Sequence, residues 1–308
     1  PIQDSLSALN ADCLATARVR RTGSDRVGTA LVERYELANG LKVLVWEDHR
    51  ASVFSYQTWF GVGSRHEMPG RTGIAHLFEH LMFKATKNHP EGDFDRILEG
   101  QGADTNAATW VDWTYYRQKV PAGNLALVVE LEADRMEFLE LTTEQLESER
   151  EVVKNERLLR VDNDPDGQTY EALYQLAYQT HAYGWPTIGW MQDIEAISLD
   201  DCNAFYRAYY APNNATLVVV GDVDTLEVLR TVQRFYGHLP SQTMPLEVDR
   251  TEPRQTAPRE LELSLEVASD RGVYAWHAPA AGTPVHAAIR VLDEILTGGD
   301  SSRLIKLL

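Results

Sequence analysis

The five residues His76-Leu77-Phe78-Glu79-His80 constrain this chain more than any other stretch. Imidazoles at i and i+4 stand one helical turn apart on one face, where both can reach a single metal ion. The string therefore asks for a helix, and for a fold that brings a further donor to its face. Glu79 lies three residues after His76 and shares that face. A carboxylate in that place is what a general base in metal-assisted hydrolysis requires. The order H-x-x-E-H inverts the H-E-x-x-H string of many zinc hydrolases.

Two histidines supply two ligands, whereas a hydrolytic zinc site uses three and keeps one position open. The best source of the third is an acidic amphipathic helix read over residues 143–160, capped by Thr143. Within it Glu149 and Glu156 are two turns apart and face one way. One can bind the metal while the other hydrogen-bonds a ligand histidine and fixes its tautomer.

Around these helices the patterning is mixed. Strands are expected at 32–37, 41–46 and 53–62, the first two joined by a tight turn at Asn39-Gly40. The motif helix starts near Gly73, and a short helix follows over 93–98. Residues 103–109 and 113–120 read as a hairpin rich in Thr, Tyr and Trp. Helices are expected over 121–138, 168–178 and 198–209, then an apolar strand at 215–219 and a helix reaching Tyr236. Residues 240–258 contain four prolines and no period, the mark of a linker. Strands near 260–267 and 273–277 and helices over 284–296 and 301–308 repeat the opening order without its metal motif. The expected division is a polar arm (1–30), a metal-binding domain (31–239), a linker (240–258) and the start of a second related domain (259–308), which reads as incomplete. The fold class is α+β, with antiparallel or mixed sheets backed by helices in two related halves.

The 308 residues carry a formal net charge of −17, which argues against a nucleic-acid partner, since that would want a basic stripe. No run of 18 apolar residues exists to span a membrane. Cys13 and Cys202 have no ligand spacing and read as thiols. The first residue is Pro1 rather than methionine, compatible with loss of an upstream segment such as a signal peptide. The compartment stays open between bacterial periplasm and cytoplasm. Residues 162–167 imitate the start of a calcium loop, but Leu173 stands where the bidentate glutamate belongs, so a helix-terminating turn is expected.

His76-x-x-Glu79-His80, followed by Glu149-Arg150-x-Val152-Val153-x-x-Glu156-Arg157, resembles the pitrilysin family of zinc peptidases. The flanking strings Gly63-Ser64-Arg65-x-Glu67, Gly102-Ala103-x-x-Asn106-Ala107 and Val218-Val219-Val220-Gly221-Asp222 carry the resemblance further, as does Gly298-Gly299-x-Ser301-Ser302-Arg303. The resemblance implies a pitrilysin-like (LuxS and processing-peptidase-like) metallohydrolase fold and one zinc ion per chain. Its ligands would be His76, His80 and Glu156, with Glu149 in support and Glu79 as base. It also implies an extended peptide substrate that adds as a strand beside Ala103, Asn106 and Ala107, inside an enclosed chamber. Relatives in the family work as two-half chains, homodimers or heterodimers, and use an Arg and a Tyr from late in the second half to hold the substrate. This chain ends before that segment. The alternative is a noncatalytic or partly active subunit of a heterodimeric peptidase, against which the complete metal motif speaks.

Overall fold

A computed structural model describes residues 2–304, 306 and 307. In chain order the elements are α1 (Ile2–Leu9), β1 (Val19–Val27), β2 (Ala30–Leu37), β3 (Lys42–Glu47), β4 (Val53–Phe60), α2 (Ile74–Leu81) and α3 (Asp93–Gly100). Then come β5 (Asp104–Thr109), β6 (Thr114–Pro121), α4 (Leu125–Phe138), α5 (Thr143–Arg157), α6 (Pro165–Ala177) and α7 (Met191–Ala196). The series closes with α8 (Leu199–Tyr209), β7 (Ala215–Gly221), α9 (Thr225–Tyr236) and α10 (Pro284–Thr297). The expected α+β class is what the chain adopts.

The strands form one sheet in the order β1-β2-β3-β7-β4-β6-β5. β7, the most apolar, lies in the middle, parallel to β3 and antiparallel to β4. With a strand on each side, it carries the Leu217-Val218-Val219-Val220 run, in which Leu217 and Val219 are buried and Val218 and Val220 half-buried. β4 shows how one face is chosen. Phe54, Tyr56, Thr58 and Phe60 are buried, and Ser55, Gln57 and Trp59 alternate with them on the other face. The helices pack on the buried face, and Leu77, Phe78 and Leu81 of α2 enter the core through the side opposite its histidines. A buried acid, Glu132 of α4, ties helix to sheet by accepting from Thr58 Oγ1 at 2.7 Å and Gln118 Nε2 at 2.7 Å. Arg135 pairs with Glu132 at 2.5 Å, and its guanidinium lies over the rings of Tyr116, Phe94 and Phe83.

The structure corrects three expectations. Residues 1–30 are not an arm: they contain α1 and the edge strand β1, which pairs with β2 along its whole length. The pattern was hidden because an edge strand open to solvent carries charges, and in β1 only Val19 is buried. Residues 260–267 and 273–277 form no strands, and no helix or strand occurs over 240–282. The alternation Leu261-x-Leu263-x-Leu265 suits a pleated surface, but a strand exists only when a neighbour takes its backbone bonds, and none does among the described residues. Third, the described part of 301–308 is turn, with residues 305 and 308 outside the description.

The linker is stitched down rather than free. Arg250 donates to the Glu67 carbonyl at 3.1 Å, and Glu252 accepts from the N–H groups of Thr180 and His181. The false calcium loop begins a helix: Asp164 caps α6 by accepting from Gly167 N–H, with Pro165 in the first turn. No helix among the described residues is long and apolar enough to cross a membrane.

Candidate metal centre

The site is made where α2 lies against α5. α2 has no side-chain cap of its own, because its N-terminus is Gly73 in the left-handed region. Glu67 does the capping from outside the helix, accepting the N–H groups of Gly73 at 3.0 Å and Ala75 at 2.8 Å. A carboxylate there satisfies two orphan donors and meets the positive end of the helix dipole. Burial, opposed by those two bonds, pushes Glu67 up to about 8. α5 starts on a capping box made by Thr142 and Gln145, one residue earlier than expected. After Arg157 it widens into a π-helical turn over Leu158–Asp162.

The two helices bring His76, His80 and Glu156 together, with one donor atom from each all within 4.8 Å of one another. Nε2 of His76 and Nε2 of His80 each stand 3.6 Å from the same oxygen, Oε2 of Glu156. That spacing is long for hydrogen bonds. It is close to the separation of about 3.3–3.4 Å between ligands on a tetrahedral zinc with bonds of about 2.0–2.1 Å. Two imidazole nitrogens and a carboxylate oxygen are also the donor types zinc takes, so the residues fit that ion. Among the described residues no other such group of His, Cys, Asp and Glu occurs.

Two of the three donors, His80 and Glu156, are aimed by a neighbour. Nδ1 of His80 donates to Glu149 at 3.2 Å, which turns Nε2 toward Glu156. Glu149 is in turn held by Lys84 Nζ at 2.6 Å, and Lys84 also reaches Glu91 at 2.7 Å. Arg160 takes the other oxygen of Glu156 at 2.9 Å. His76 Nδ1 has no hydrogen-bond partner among the described residues.

The charges respond accordingly. Burial, and then repulsion from His80, lowers the proton affinity of His76. Burial also works against a charged His80, but the hydrogen bond to Glu149 and the nearby Glu156 carboxylate outweigh it and raise it to about 9. The His80 imidazole, bonded to Glu149 and close to Glu156, holds both carboxyl groups below the usual carboxylate range.

Glu79 is placed apart from this triad. Its Oε2 accepts from Thr109 Oγ1 at 2.6 Å, tying it to the end of β5. Burial, opposed by that bond, raises its proton affinity. β5 is the last strand of the sheet, so one of its edges is unpaired. Of the residues expected along that edge, Ala107 has its N–H bonded to the Asn106 side chain at 2.8 Å, and Ala103 N–H is bonded to the Leu98 carbonyl. Asn106 therefore serves its own backbone in this structure.

The sequence motifs did not disclose Thr109, Lys84 or the capping role of Glu67. Lys84 offered a local sign, since it follows His80 by four residues, just beyond the end of α2. Thr109 and Glu67 offered none, being ordinary in type.

Comparison with known proteins agrees with the geometry. A sequence model described as Insulinase (Peptidase family M16) matches residues 42–189, and one described as Peptidase M16 inactive domain matches 196–308. The zinc protease PqqE of Helicobacter pylori is 40% identical over 208 residues, covering 67% of this chain and 47% of that one. An uncharacterized zinc protease of Mycobacterium bovis is 28% identical over 289 residues, covering 93% of this chain and 66% of that one. The crystal structure of a protease from Helicobacter pylori superposes with a TM-score of 0.80 at 35% identity, covering 89% of this chain and 67% of that one. The chain thus spans about half the length of the Helicobacter zinc protease. With both M16 domain types matched in order and a histidine-histidine-glutamate centre where the first of them lies, the chain belongs to the M16 (insulinase) family of peptidases, whose relatives here are named zinc proteases.

Proposed function

We propose that the chain is the catalytic half of a zinc-dependent endopeptidase that cleaves peptides or unfolded segments laid as an added strand along β5. The reading rests on one observation: three donors suited to a single ion converge from two helices, with Glu79 on the same helix and tied to the end of β5. One zinc ion per chain, held by His76, His80 and Glu156, would polarise a carbonyl and lower the pKa of water. Glu149 keeps His80 in the tautomer that presents Nε2. Glu79 does the proton work. Its Oε1, left free by Thr109, takes a proton from water and passes it to the leaving amine nitrogen. Burial, which raises its proton affinity, suits a group that must hold a proton between two transfers.

Main-chain bonds along β5 supply affinity with little side-chain preference. Ala103, Asn106 and Ala107 are assigned to that contact, the Asn106 side chain giving up the Ala107 N–H as substrate arrives. Residues 31–239 carry the chemistry in this reading, and 240–258 lead to a related unit beginning at 259. A full second half, or a homodimeric or heterodimeric partner, closes the chamber.

The test is Glu79→Gln. It should retain zinc and lose peptide cleavage by about 10²–10⁴-fold. Undiminished turnover rejects Glu79 as base. A wild-type protein that neither holds zinc nor cleaves peptides is instead a noncatalytic binding subunit.

A further inference from the structure

The two helices that carry the triad are joined by a third segment that, among the described residues, makes no hydrogen bond to its members. Residues 187–193 run between the start of α2 and the end of α5. On the α2 side, Thr72 Oγ1 donates to Asp193 Oδ2 at 2.7 Å and accepts the Trp190 N–H at 3.0 Å. Thr72 N–H donates to the same Asp193 oxygen. Beside them the backbones of Gly73 and Gly189 cross in contact. A Cβ on Gly189 would lie 2.5 Å from Gly73 Cα and from the Thr72 carbonyl oxygen, and one on Gly73 would lie 2.5 Å from the Ile188 oxygen. Both glycines have φ +89, so a side chain at either is strained as well as obstructed. On the α5 side, Arg157, next in sequence to Glu156, donates to the Gly189 carbonyl at 2.8 Å with its guanidinium over the Trp190 ring. Arg157 is itself fixed by Glu171 at 2.8 Å and Asp162 at 3.1 Å.

We infer that residues 187–193 are a spacer that sets the distance between the histidine helix and the glutamate helix, with Thr72, Gly73, Gly189 and Arg157 as its positioning residues. The inference rests on the metal-site reading above. Gly73 is three residues before His76 and Arg157 one after Glu156, so a shift of either contact moves a donor along a rigid helix. Backbone lies on both sides of the glycine crossing, so an added carbon can be accommodated only by separating α2 from the segment. Three donors that must meet one ion then no longer do, although every ligand is present.

Thr72→Val removes the hydroxyl at nearly constant shape, and Thr72→Ser restores it. Zinc affinity would be read by competition with a chromophoric chelator. Geometry would be read from the visible spectrum of the cobalt-loaded protein, and the metal-free fold from urea unfolding. Thr72→Val should bind zinc about 10-fold more weakly with a changed cobalt spectrum, Thr72→Ser should match wild type, and Gly189→Ala should lose about 100-fold, the range that outer-shell changes cost metal sites. If Gly189→Ala does not fold, the Thr72 pair decides. Wild-type zinc affinity and an unchanged cobalt spectrum in folded Thr72→Val overturn the spacer, even if its metal-free stability falls. If wild type and His76→Ala hold equally little zinc, the metal site itself is wrong and the spacer falls with it.

Discussion

At the scale of single residues, the two histidines of the centre differ in the acids they face. His80 has an acid on each ring nitrogen, Glu149 on Nδ1 and Glu156 on Nε2, whereas His76 faces only Glu156. In the proposed function this makes Glu149 the orienting acid and Glu156 the metal donor. Glu149→Gln should weaken zinc binding by about 10–100-fold without abolishing it, measured by chelator competition. Loss of all zinc there, with Glu156→Gln unaffected, would exchange the two roles. Spacing alone could not separate them, since both acids face one way on α5. The distinction depends on which one meets Nδ1, and that is fixed by how α2 lies against α5. The string His76 to His80 did announce two donors and the acid, because i, i+3 and i+4 positions share a helical face whatever the fold.

At the scale of elements, the metal helix is held by its ends. Glu67 caps α2 from six residues upstream of Gly73, in the core and with no cationic side chain on its carboxyl group. Its pKa is raised from 4.5 to about 8, so the folded state binds a proton there that the unfolded chain has lost. The sign follows: this contribution to stability is fully present below about pH 4.5 and is lost as pH rises toward 8. The stability difference between wild type and Glu67→Gln should therefore shrink across that window, in urea unfolding at stepped pH. A difference that grows with pH would mean the carboxylate, favoured by its two N–H bonds, is the native form. Such contacts were not legible, because Thr72 and Trp190 lie 118 residues apart and neither belongs to a motif. Helices with strong periodicity were legible to within a few residues, α5 and α9 among them. β1 was not, since an edge strand with three arginines and an aspartate has no apolar alternation to read.

At the scale of the molecule, a single sheet organises everything the site needs. Its buried face takes the apolar side of α2, which leaves the histidines to α5. Its last strand, β5, ends beside Glu79. The segment after the linker repeats strand-like alternation but stays unpaired, which sequence could not foretell because pairing is a property of the neighbour. The central claim is that His76, His80 and Glu156 share one zinc ion. Diffraction at the zinc absorption edge, from crystals of zinc-loaded protein, tests it most directly. One anomalous peak is expected at about 2.0–2.2 Å from both Nε2 atoms and a Glu156 oxygen. A peak bonded to Glu149 in place of Glu156, or none between α2 and α5, would contradict it.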